Sequence, residues 1–224
     1  MESWKPSRIV YFVDVRQQLH LKQCFTIAKK AWPELENVEL FHAFNGFIKL
    51  KEWAMSTRKW TVIFLEDLIN EWFVRTKNIL EEKWKTLSDE NIQKITVWAI
   101  KYSYLSQDRE KDVVFDWDKA LSFEGNSWPY IQYTFVRASR IIEKAWDYDN
   151  LTKIEDWILG EHDKSLVKKI FDFDKALLDT TAKYKPHILA TYLYELAQEF
   201  NNFYTNVGKI LEDENKLRKN ARLT

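Results

Sequence analysis

The sequence predicts a mainly α-helical chain that opens with a short α/β segment and continues as an all-α bundle. Three observations predict it. Short apolar runs at Ile9 to Val13, Val38 to Phe44 and Phe47 to Leu50 bracket one helical pattern; from Leu65 onward apolar residues recur three and four apart; and only 4 Gly and 4 Pro in 224 residues leave few interruptions.

Residues 8 to 50 read as one βαβ unit. Ile9-Val10-Tyr11-Phe12-Val13 is a continuous apolar run of the kind buried on both faces of a parallel sheet. A helical pattern through Leu19, Gln23, Ala28 and Lys30 is ended by Trp32-Pro33, and the chain then returns as strand. Ligands of such sheets sit beyond the carboxyl ends of the strands, which points to Asp14 to Gln17 and to the stretch after Leu50. From there Leu65, Leu68, Ile69, Trp72, Ile79 and Leu80 predict a helix with one buried face. Ser88 caps the next, with Asn91 at its third position and Ile92, Ile95, Ala99 and Tyr102 along one side.

Asp112 to Leu121 reads as a connector with a short turn of helix, and Gly125-Asn126-Ser127-Trp128-Pro129 as punctuation at a domain boundary. A helix from Tyr130 to about Ala145 follows, with Ile131, Thr134, Phe135, Ala138, Ile141, Ile142 and Ala145 as its apolar face. Leu166, Ile170, Phe173 and Leu177 predict one further helix, stopped by Lys185-Pro186. Leu189, Tyr192, Leu193, Leu196, Phe200 and Phe203 predict the last long one.

Bulk charge gives no argument for any partner, because 34 basic side chains meet 34 acidic ones; binding of a polyanion must rest on local patches. No apolar run is long enough for a transmembrane helix, no charged-then-apolar leader precedes Arg8, and the one cysteine, Cys24, cannot form an internal disulfide. A reduced, cytoplasmic setting and a monomer are expected. Cys24 lacks His or carboxylate neighbours at ligand spacing, so no protein metal site is expected.

Two constellations carry chemistry. Met55-Ser56-Thr57-Arg58-Lys59, hydroxyl-rich and doubly basic, has the make-up of a loop that holds phosphate. On the helix after Pro129, Tyr133, Arg137, Arg140 and Lys144 form a stripe apart from the apolar one. An aromatic above a basic row suits stacking on an unpaired base together with backbone neutralisation, although such a stripe also reads as a solvated face.

Met55 to Lys59 resembles the signature loop of the arginine class I aminoacyl-tRNA synthetases. The resemblance extends through Val13 to His20, Ile63 to Ile69, Ala99 to Ser106, Phe115 to Leu121, Pro129 to Tyr133, Tyr192 to Ala197 and Asn202 to Tyr204. It implies the C-terminal part of a Rossmann-like catalytic domain over 1–63, a helical connecting region that contacts the tRNA stem over 64–128, and an α-helical anticodon-binding domain over 129–224 that lacks its last helix. It implies ATP-dependent activation of L-arginine and transfer to tRNA(Arg), with Mg2+ accompanying ATP.

By the same resemblance Ser56 and Thr57 offer hydroxyl and amide donors to the leaving pyrophosphate, and Arg58 and Lys59 the positive charge. Gln17 is implied in arginine binding and His20 near ATP, and Asn201, Asn202 and Tyr204 of the last long helix are further candidates for anticodon contact. The family's His-x-Gly-His signature would lie upstream of these residues, so the chain alone is expected to be an inactive fragment that at most contacts tRNA. A stand-alone tRNA-binding module and a protein-binding helical domain are the rival readings.

The loop departs from the family pattern at Ala54, where a lysine is usual, and at Trp53 and Trp60, where glycines are. The chain holds 11 Trp and 4 Gly, and ten of the Trp (4, 32, 53, 60, 72, 84, 98, 128, 146 and 157) stand where the family pattern has or tolerates glycine. Exchanging them restores ordinary usage of both residues. The expectation is a gene whose UGA codons encode glycine and were read as tryptophan.

Overall fold

The structure, a computed structural model, describes residues 5–50, 65–83, 87–145, 148, 153–154 and 156–224. Met55 to Lys59 lie outside them, as do Trp53 and Trp60. The chain divides into two compact units, residues 1–60 with 107–115 and residues 61–106 with 116–224.

The first unit is built on the expected βαβ arrangement. Strand β1 (Arg8–Tyr11) leads through a 3-10 turn into helix α1 (Gln18–Ala31), and strand β2 (Glu39–His42) returns parallel to β1, with Arg8 opposite Glu39 and Tyr11 opposite His42. Parallel strands require a crossover, and α1 supplies it. Its last turn carries Lys29 and Lys30 against the negative end of the helix dipole, and Trp32-Pro33 ends it.

The apolar run of β1 is not buried on both faces. Tyr11 is 42% exposed and Phe12 71%, because among the described residues β1 pairs with β2 alone and α1 is the one helix of this unit. A second parallel pair joins β3 (Ile48–Leu50) to β4 (Val113–Phe115), with Asp112 accepting from the Phe47 amide and from Lys49. The connector read over Asp112 to Leu121 thus opens with a strand. Gly46 permits the approach: a Cβ there would overlap the Lys111 carbonyl.

The second unit is helical throughout its described residues. Helix α2 (Leu65–Lys83) buries Trp72, Thr76 and Leu80, a spacing of four that places all three on one face; Ile69, expected there, is exposed. Helix α3 (Asp89–Leu105) starts as expected, with the Ser88 hydroxyl accepting from the Asn91 amide and Asp89 and Glu90 in the first turn, and it buries Ile92, Thr96, Ala99 and Tyr102. The Tyr102 hydroxyl lies 2.6 Å from Asn126 Oδ1 and 3.0 Å from the Ala190 carbonyl, and burial raises its pKa well above the usual phenol value.

After the short helix α4 (Trp117–Ala120), helix α5 (Trp128–Lys144) begins on a Ser127 cap with Pro129 in its first turn. Trp98 of α3 stacks on Trp128 at 5.2 Å. Of the face expected of α5, Thr134 is buried as read, but Phe135 is 70% exposed and Ile142 41%, so the buried stripe is shifted toward Tyr130 and Thr134. Asn201, described below, meets the polar groups of Tyr130 and Thr134 on that side.

The helix expected over Leu166 to Leu177 is two, α6 (Glu161–Phe171) and α7 (Phe173–Lys183), parted at Asp172. The break lets Phe173 set its ring 5.8 Å from Tyr192, while Tyr184, the one described non-glycine residue with positive φ (52°), ends α7 before Pro186. Helix α8 (Pro186–Val207) is the central rod, packed against α5, α6 and α7. Helix α9 (Lys216–Leu223) closes the unit, and Phe203, Ile210 and Leu223 form a core cluster with Ile141, Leu166, Phe200 and Val207 around it. Among the described residues no helix is long and apolar enough to cross a membrane.

Candidate nucleic-acid interface

Asn201 organises the facing sides of α5 and α8. Its amide nitrogen lies within 3.0 Å of Tyr130 Oη, Thr134 Oγ1 and the Ala197 carbonyl, and its Oδ1 accepts from Arg137 Nη1 at 2.6 Å. Two N–H donors and one acceptor oxygen, held at the junction of two helices, are thereby all engaged.

Arg137 extends the network outward. Nη2 donates to Tyr133 Oη at 2.9 Å, and the guanidinium carbon stands 4.6 Å from the centroid of the Tyr133 ring and 5.0 Å from that of Tyr204. Cation–π attraction of this kind contributes about 0.5–2 kcal/mol per pair. Tyr204 is also stacked on Phe200, at 6.3 Å and 17° between planes. Both tyrosines remain open to solvent, Tyr133 at 43% and Tyr204 at 36%.

These rings stand along a groove of about 430 Å³ on whose lining Arg137, Arg140, Lys144 and Lys209 converge. Tyr133, Arg137, Arg140 and Lys144 share the lining because they follow one another four, three and four apart on α5. Tyr204 reaches it from α8, and Asn201 lies behind Arg137. Sequence reasoning missed Lys209. It arrives through Gly208, whose φ of 73° and ψ of −153° only glycine adopts freely, so the chain doubles back at the end of α8. A glycine closing an apolar helix, followed at once by lysine, was the available signal. Lys209 is paired with Glu212 at 2.8 Å, which raises its pKa.

The candidates of the first unit stand at the carboxyl ends of β1 and β2, where Asp14 bridges to Asn45 and the Val15 amide donates to the Asn45 carbonyl. Asp14 caps the 3-10 turn Val15–Gln17 and grips Arg16 through both carboxylate oxygens, a pairing that holds its carboxyl below the ordinary carboxylate range. Gln17 and His20 are exposed one turn apart. His20 is therefore no core histidine; its Nε2 lies 3.5 Å from Cys24 Sγ. His42, at the end of β2, donates from Nε2 to the Val13 carbonyl. Among the described residues no group of three or more His, Cys, Asp or Glu side chains is placed to hold a metal ion.

The catalytic domain of the class I tRNA synthetases for arginine matches residues 1–117, more than half of the chain. The chain belongs to the arginine class I tRNA synthetase family. The DALR anticodon binding domain matches residues 131–224, which contain the whole groove. The synthetase chain is 39% identical over 228 residues to the arginine–tRNA ligase of Aliivibrio fischeri and 37% identical over 224 to that of Fusobacterium nucleatum, covering 99% and 97% of itself. It spans 39% of the length of each. Its fold superimposes on arginyl-tRNA synthetase of Thermus thermophilus with a TM-score of 0.81 at 24% identity, and on that of Plasmodium falciparum with 0.75 at 25%, covering 97% of this chain and 37% and 38% of theirs.

Proposed function

We propose that the chain is the C-terminal part of an arginine–tRNA ligase, which activates L-arginine with ATP and transfers it to tRNA(Arg), and that the α5–α8 groove holds unpaired nucleotides of that tRNA. One observation carries the reading: two helices bring Tyr133, Arg137, Asn201 and Tyr204 into one network beside the exposed cations Arg140 and Lys144. Open aromatic faces next to positive charge suit single-stranded RNA, whose bases stack while its phosphates are neutralised. Under this reading 1–63 belongs to the catalytic domain, 64–128 connects and 129–224 binds the anticodon. Met55 to Lys59 hold the phosphates of ATP, with Mg2+ entering as part of that substrate, and Gln17 and His20 face arginine and ATP. The setting is cytoplasmic, and the chain by itself contacts tRNA without charging it.

Binding of a tRNA transcript to the full 224-residue chain at several salt concentrations tests the interface. Each phosphate neutralised contributes about 0.7–0.9 to the slope of log K against log salt, so engagement of Arg140, Lys144 and Lys209 predicts a slope of about −2 to −3. Affinity that does not change with salt sinks the proposal.

We propose likewise that the ten tryptophans stand at glycine codons. Sequencing the gene should find UGA at those ten and UGG at Trp117 alone; UGG throughout ends the idea.

A further inference from the structure

The cations along the groove are not equivalent. Arg140 and Lys144 are exposed, and among the described residues neither is held in an ion pair, so each is at liberty to meet a phosphate. Arg137 is only partly exposed, and its guanidinium is already committed: Nη1 to Asn201, Nη2 to the Tyr133 hydroxyl, and its plane within cation–π range of two rings. A planar fork held at several points resists leaving them for a mobile phosphate, and lysine, a point charge with three donors on a flexible stem, cannot reproduce the arrangement.

The two rings differ as well. Tyr204 has Arg137 near it and Phe200 stacked on it, so both neighbours use its π-surface. Tyr133 is the more exposed, and among the described residues Arg137 is its only ring partner. With 43% of its surface open, Tyr133 is the ring that has room for a further stacking partner.

Resting on the tRNA-binding reading above, we propose that Arg137 is a positioning residue, anchored by Asn201, that fixes Tyr133 as the platform on which an unpaired RNA base stacks, while Arg140 and Lys144 neutralise the backbone. The positive charge of Arg137 serves the aromatic rings and not the phosphates. Stacking on one aromatic contributes roughly 5- to 150-fold in affinity, and losing the orientation of the ring forfeits part of that.

The test compares binding of the full chain to a tRNA transcript and to a fully paired RNA duplex, across a range of salt, for the parent and for R137K, Y133L, R140Q and K144Q, with melting temperature as the control for folding. R137K keeps the charge, so it should bind the tRNA at least about fivefold more weakly, with the parent's salt slope and unchanged affinity for the duplex. Y133L should lose as much or more in the same pattern. R140Q and K144Q should each flatten the slope by about 0.7–0.9 on both RNAs. N201A supplies the second route to Arg137: combined with R137K it should weaken binding no further than the worse single variant. An R137K chain that binds tRNA like the parent, or one that loses equally on tRNA and duplex, overturns the assignment of Arg137. A parent that binds neither RNA in a salt-dependent way overturns the interface reading instead.

Discussion

Replacing Arg222 by alanine should destabilise the helical unit by about 3–5 kcal/mol, the range measured when one partner of a buried ion pair is removed. Arg222 Nε and Nη2 donate to the two oxygens of Asp163 at 2.6 and 3.1 Å, and Nη1 donates to Asp213 at 3.0 Å. The side chains of Asp163, Asp213 and Arg222 are 3%, 6% and 9% exposed. Without the guanidinium two nearly buried carboxylates would lose their shared charged partner, Asp163 keeping, among the described residues, the Gly160 amide and Asp213 keeping Arg218 and the Asn215 amide. Since a domain of this size is stable by about 5–15 kcal/mol, the loss is a large share of the total. Urea unfolding followed by helical circular dichroism measures it; a change under about 1 kcal/mol would mean that the network contributes little.

The same network sets a direction with pH. The Arg218 hydrogen bond holds the carboxyl of Asp213 below its ordinary value of 3.8, with the charge of Arg222 adding to the effect. A depressed folded pKa means that the unfolded chain takes up the proton first. The stabilisation is therefore complete above the ordinary carboxylate value and is lost as pH falls through the lower folded one. Acid unfolding of the parent should accordingly be steep below about pH 4, and less steep once Arg218 is replaced by alanine.

The second large effect is expected at Phe203. Its ring is 4% exposed and packs with Ile210 and Leu223, so alanine leaves a void that the surrounding helices fill only in part. Phe to Ala at such sites costs about 3–5 kcal/mol. Phe203 precedes Tyr204 on α8 and Ile210 follows Lys209, so the void opens directly under the groove. At temperatures where the variant remains folded, its affinity for tRNA should fall too. Phe203→Leu, which retains most of the volume, should lose about a third as much stability or less. Equal losses for the two variants would mean that the ring's shape, and not its bulk, supports this core.

Local signals carried the βαβ unit, the Ser88 helix start and the stripe of Tyr133, Arg137, Arg140 and Lys144, because each shows in the spacing of residues along one continuous stretch. What escaped depends on distant partners. Strand β4 exists only because it meets β3, 65 positions away in the Phe47–Asp112 contact. Arg222 meets Asp163 across 59 positions, with nothing nearby to announce either. Period alone puts Phe135 on the buried face, yet it is exposed, while its neighbour Thr134 turns inward to meet the amide of Asn201, 67 positions away. The pause between α6 and α7 falls at Asp172, with neither glycine nor proline to mark it. The same locality explains the site: the stripe on α5 was readable, and its junction with Asn201, Tyr204 and Lys209 was not, since it is made by the crossing of α5 and α8 and by the turn at Gly208.

The uncovered side of the β1–β2 pair has a practical corollary. Phe12 just past β1, at 71% exposure, and Leu19 and Ile27 on α1, at 67% and 64%, leave oily surface open in a unit whose β1–β2 pair has no further strand among the described residues. Surfaces of that kind recruit chaperones and seed clumping at high concentration. Preparations of this polypeptide should therefore be kept dilute and cold, and charged replacements at Phe12 and Ile27 are the first changes to make for anyone wanting it in concentrated solution.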